Sequence, residues 1–235
     1  MGHARVTTQA SLSPDILLAV WLSPSFPVGA FAYSHGLEWA VEAGDVGDET
    51  TLVAWLADIV EHGGARADAI LLAACWRAMR EKDFAALAAA NELALALSPS
   101  AERKLETSQQ GRSFLSAIEA AWNAPAIEAA SAYLADEIAY PVAIAIACAA
   151  HDVPLARTCE AFALAFVANL VSAGVRLGVI GQTQGQRVLA TLAPSLAELG
   201  ALAAQSTIDD LGSASFRCDI ASMRHETQYS RIFRS

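Results

Sequence analysis

No glycine in this chain is followed by lysine, so it carries no phosphate-binding loop of the GxxxxGK[ST] kind. A GxSxG elbow for a serine nucleophile is also missing. The five histidines, His3, His35, His62, His151 and His225, show neither HxH nor HxxxH spacing. The four cysteines, Cys75, Cys148, Cys159 and Cys218, are scattered, which reads as reduced core thiols rather than a disulfide framework. Charge is sparse at 17% and leans acidic, with a formal net charge of −10, which speaks against nucleic acid as a partner. Met1 to Gln9 lacks the apolar run of a secretory signal. The uncharged stretch Ala161 to Val175 is short for a bilayer span and is flanked by Glu160 and Arg176. A cytoplasmic protein with no membrane partner is expected.

Strand signals are almost as scarce, and helix signals are abundant. Alanine supplies much of the 54% hydrophobic content, and it is the residue most at ease in a helix. Ser13-Pro14 opens a first helix through Trp21. A second spans about His35 to Ala43 and ends at Gly44. Asp48 caps a third, whose apolar positions Leu52, Trp55, Leu56, Ile59 and Val60 keep the helical period up to Gly63-Gly64. Next comes a helix with Asp68 near its start and Arg77 and Arg80 near its end, in the sense the macrodipole favours. Helices over Asp83–Leu97, Ala101–Trp122, Ala126–Ala135 and Pro141–Ala150 follow. Pro154 opens the most apolar helix, expected to be the central one and to place Gly174 and Gly178 on one face for close packing. A capping box, Ser195-Leu196-Ala197-Glu198, marks the start of the last strong helix. The prediction is an all-α, single-domain, multi-helix bundle around a central apolar helix, without significant sheet. Its divisions are a flexible segment over 1–12, a helical body over 13–214 and a basic tail over 215–235.

Two segments depart from plain bundle patterning. Ser23 to Gly36 holds two prolines, two glycines and three aromatics, and cannot be regular helix. The tail carries Arg217, Arg224, Arg231 and Arg234 against Asp219 and Glu226, a side-chain charge of +2 in an acidic chain. Arg217, Arg224 and Arg231 recur every seven residues and on a helix would form one basic stripe beside Ile220 and Met223, with Phe233 beyond. Arginine favours two-bond contacts with carboxylates, so the tail reads as a docking element for an acidic surface, ordered only on binding. Phe26, Phe31 and Tyr33 are either interface anchors or plugs at the turn between the first helices, Tyr33 being the better anchor. Glu38 suits a helix start, and Gln109, Gln110 and Arg112 read as a solvated face. Arg176, in the most apolar helix, calls for a buried partner.

Three blocks of sequence together resemble the urease accessory protein UreF family. The first is Phe26 to Glu38 (FPVGAFAYSHGLE), the second Glu106 to Ser113 (ETSQQGRS), the third Ser172 to Leu177 with Gly181 to Gln186 (SAGVRL, GQTQGQ). The ending Asp219 to Ser235 is close to the bacterial members' C-terminus. The resemblance runs from about Leu17 to the end. It implies a helical, usually dimeric adaptor that joins the UreD/UreH scaffold to the UreG GTPase, the complex docking on apo-urease to deliver nickel. It implies no stably bound cofactor: nickel is handled in transit by the complex, and GTP is bound by the partner. Partner-binding positions are then Tyr33, Ser34, His35, Glu38, Arg217, Met223, Arg224, His225, Glu226, Tyr229, Arg231, Phe233 and Arg234, with Gln182, Gln184 and Gln186 lining a polar path or an interface. Arg231 or Arg234 as an arginine finger for the GTPase is a variant ranked below docking. The rival readings are a helical enzyme, with a site around His35 and Glu38 or His225 and Glu226, and a bundle that binds a small ligand along its central helix.

Overall fold

In a computed structural model, which describes residues 12–235, the chain is α-helical, with no strand among the described residues. The expected flexible segment 1–12 lies, but for Leu12, outside them. Eleven α-helices follow in order: α1 Pro14–Trp21, α2 Leu37–Glu42, α3 Glu49–His62, α4 Gly64–Glu81, α5 Phe84–Ala96, α6 Ala101–Ala121, α7 Pro125–Ser131, α8 Tyr140–Ala150, α9 Leu155–Arg176, α10 Gln182–Ala203 and α11 Phe216–His225.

Local chemistry sets most of the boundaries. Asp48 accepts from the Thr51 amide at 2.8 Å while Thr51 Oγ1 accepts from the Asp48 amide at 3.0 Å, a reciprocal cap. Asp83 and Ser100 cap α5 and α6 through the amides of Ala86 and Arg103. Ser13, by contrast, makes no side-chain cap, and proline alone starts α1. Gly44 closes α2 in the left-handed conformation, as expected. Gly178 does the same beyond α9 at φ +76°, so it is a helix stop rather than a packing face. Gly174 remains in the helix, and a Cβ there would stand 3.0 Å from Leu52 Cδ2 of α3.

A central apolar helix exists, but it is α8 and not α9. Every residue from Pro141 to Ala149 is buried, enclosed mainly by α4 and α6. Its alanines permit this, because small side chains let helices close in from all sides. By length and composition α9 could cross a membrane, yet half of its apolar window is buried in the fold, and Leu164 is exposed over a cavity. The Ser195–Glu198 box starts nothing: α10 runs unbroken through it from Gln182, with Pro194 inside. Its N-terminal cap is Gln184, whose Oε1 accepts from the Gly181 amide at 2.8 Å. Gln182 and Gln186 are exposed at the start of α10, and Gln184 is half-buried.

Candidate functional site

The polar groups of the molecule gather where the tail folds back on α2 and α6. Glu38, on α2, is 5% exposed, and its carboxylate accepts the backbone amides of Ile232 at 2.6 Å and Phe233 at 2.9 Å. His225, at the end of α11, is fully buried between two acids. Its Nε2 lies 3.1 Å from Glu38 Oε2 and its Nδ1 2.6 Å from Glu102 Oε2. Arg231 closes on the other Glu102 oxygen at 2.6 Å. Glu226 accepts from the Ala101 amide at 2.7 Å and so caps α6 from another helix.

The chain end is held as firmly. The Ser235 backbone oxygen accepts from the Ser34 amide at 2.8 Å and from the Ser34 hydroxyl, and the Arg234 amide donates to Ala32 O at 2.8 Å. Ser235 Oγ donates to Glu106 Oε2 at 2.7 Å. Glu106 is 1% exposed and also takes Arg103, Gln110 Nε2 at 3.0 Å and His35 Nδ1 at 2.9 Å. Burial by itself would raise this carboxyl; the charges of Arg103 and His35, with the hydrogen bonds of His35 and Ser235, outweigh it and hold it at about 2. His35 is pushed down, first by burial and then by Arg103. Tyr33 is 2% exposed with its hydroxyl on Gln109, and burial raises it. Phe233 is buried with the Arg176 guanidinium 4.3 Å above its ring. Arg176, expected to need a buried partner, lies at the exposed end of α9 and donates to the Phe31 carbonyl.

Two expectations about the tail therefore change. It does not wait for a partner to order: α11 and the return over 226–235 pack on the body of the single chain. Nor do its arginines form a stripe, because the helix ends at His225. Arg217 turns to Asp45 at 2.9 Å and Arg231 to Glu102, on different parts of the body. Glu102, Arg103 and Glu106 were missed in the sequence. Their signal was polar residues at positions 102, 106 and 110, spaced as one face of a helix whose core side also carries Phe114. Of the two enzyme-like pairs, His35 with Glu38 is not formed and His225 with Glu226 is replaced by His225 with Glu38 and Glu102.

What the tail leaves outside is apolar. Phe216, Ile220 and Met223, at i, i+4 and i+7 on α11, are 69%, 51% and 49% exposed. Tyr229 and Ile232 continue the exposed set, at 105% and 71%. Arg224 stands among them with no ion pair among the described residues. Buried acid–base groups thus fasten a segment to its own chain, and the segment turns a row of large hydrophobic side chains outward.

The structure defines an all-helical protein whose C-terminal segment is clamped onto its own body. The family model for UreF matches residues 46–193, and three relatives match nearly end to end. The urease accessory protein UreF of Xanthobacter autotrophicus is 59% identical over 93% of this chain and 90% of its own length. That of Methylobacterium radiotolerans is 57% identical over 93% and 95%. That of Azorhizobium caulinodans is 54% identical over 94% and 95%. The chain belongs to the UreF family of urease accessory proteins.

Proposed function

We propose that this chain is a non-catalytic adaptor of urease maturation, bridging the UreD/UreH scaffold and the UreG GTPase while nickel is delivered to apo-urease. Homodimer formation and a cytoplasmic setting belong to the same reading. The observation that carries it is the outward row Phe216, Ile220, Met223, Tyr229 and Ile232. Large apolar side chains gathered on one exposed face mark a surface built to be covered, and aromatic and methionine side chains are the types that binding surfaces favour. Arg224, uncompensated within that row, supplies the charge that selects an acidic partner rim. The paired groups support an adaptor rather than an enzyme: Glu38, His225, Glu102 and Arg231 satisfy one another and hold the tail. The GTP and nickel chemistry then resides in the partners, and this chain sets their geometry.

The test is co-purification with UreD/UreH and UreG followed by size-exclusion chromatography. Ile220→Asp with Met223→Asp alters only exposed side chains, so the monomer should fold and melt as before. Complex formation should fall by at least about tenfold in affinity, as expected when central apolar contacts of an interface are replaced by charge. Normal assembly by this folded variant would sink the tail-face reading.

A further inference from the structure

Two cavities meet at a polar wall inside the molecule. One, of about 390 Å³, lies between α1, α6 and α9 behind the loop 23–36. The other, of about 330 Å³, lies beside α4 and the segment before α11. His35, Asp68, Arg103, Thr107 and Phe166 face both. The larger has the size of a small-molecule site and walls that are mainly hydrocarbon, among them Leu18, Leu22, Val28 and Phe162.

The wall between them is not electrically balanced. Arg103 is paired with Glu106, which also takes Gln110, His35 and Ser235, so that couple is internally satisfied. His35 is pushed towards its neutral form by burial and by Arg103. Asp68 makes no hydrogen bond or ion pair among the described residues, although it faces both chambers. It also sits too far into α4 to serve as the dipole complement its sequence position suggests. Asp68 is only partly buried and keeps some contact with water, so a cation entering the chamber would meet an unpaired negative charge on its wall. We propose that the larger cavity binds an organic monocation, a primary ammonium on a hydrocarbon body, with its head on Asp68 and its body against Leu18, Leu22, Val28 and Phe162. A bare metal ion suits the place less, because no group of three histidine, cysteine or acidic side chains that could hold one occurs among the described residues.

Isothermal titration of the purified full chain with hexylammonium at pH 7.5, against n-hexanol as neutral isostere, tests this. The expected result is saturable one-to-one binding of hexylammonium, with hexanol weaker by at least about tenfold, the range of a charge-assisted hydrogen bond. Asp68→Asn should erase the preference for the ammonium, and Ala165→Phe should block both ligands by filling the chamber. Affinity should also fall as pH drops from 7.5 to 5, while the melting curve confirms a folded protein. Absence of saturable hexylammonium binding, equal binding of the alcohol, or unchanged binding by Asp68→Asn would each overturn the proposal and mark the chamber as solvent-filled. If Asp68→Asn fails to fold, the comparison of ammonium with alcohol and the Ala165→Phe block decide the matter alone. None of these results bears on the adaptor reading, which rests on the outer face of α11.

Discussion

Glu38 shows how one side chain sets the course of a segment nearly two hundred residues away. Its two oxygens take two backbone amides and one ring nitrogen, so Glu38→Ala would leave all three without their partner. The loss should be about 3 kcal/mol in urea unfolding, with faster hydrogen exchange at Ile232 and Phe233; Glu38→Gln, which keeps one acceptor oxygen, should recover part of it. Asp68 and Glu106 respond to acid in opposite senses. Glu106, held at about 2 against an ordinary 4.5, stabilises the fold above pH 4.5, and that contribution is lost as pH falls towards 2. Asp68 is raised by burial from 3.8 to about 6, so its ionised form penalises the fold above pH 6, a penalty relieved on acidification towards 3.8. Asp68→Asn should therefore gain up to about 3 kcal/mol at pH 7.5 and almost nothing near pH 4, measured by urea unfolding at both values.

Among the elements, the closest approaches are made through glycine. A Cβ on Gly111 of α6 would fall 2.0 Å from the Ile138 carbonyl oxygen, which is backbone and has little freedom to yield. A Cβ on Gly36 would meet the Ser222 amide nitrogen of α11 at 2.6 Å, at a φ of +76° that already disfavours any side chain. Gly111→Ala should cost about 2 kcal/mol or more in thermal unfolding by forcing α6 off the strap that leads into α8. Gly36→Ala should act more locally, loosening α11 and exposing the 216–235 segment to limited proteolysis while the body keeps its helical signal. Both glycines fall in sequence blocks that identify the family, and the structure gives each a physical reason. The element that misled was α9: its mean hydropathy exceeds what its burial needs, because one face lines a cavity.

For the whole molecule, the tail is part of the fold as well as the proposed interface. A chain ending at Ala214 would strip Glu38, Glu102 and Glu106 of the Ile232 and Phe233 amides, His225, Arg231 and Ser235. Its melting temperature should drop by about 5 °C or more by differential scanning calorimetry, even though most helices remain. Loss of assembly by such a truncation would then mix two causes, which is why substitutions on the outer face of α11 are the cleaner probe of docking.

Helix content, most boundaries and the family were legible in the residues themselves. Caps such as Asp48 and Asp83, stops such as Gly44 and the apolar period of α3 act within a turn or two of the chain, so neighbouring letters suffice to read them. The tail was legible as a distinct, arginine-bearing segment, but not as a packed one. Its binding sites are Glu38, Glu102 and Glu106, and no local pattern reveals that acids from α2 and α6 converge on His225 and Ser235. The same holds for Asp68, whose spacing along α4 fits a dipole contact until neighbouring helices enclose it. Local hydrogen bonding determined the elements; which charges are buried, paired or left over was decided only when the helices packed and removed water from between them.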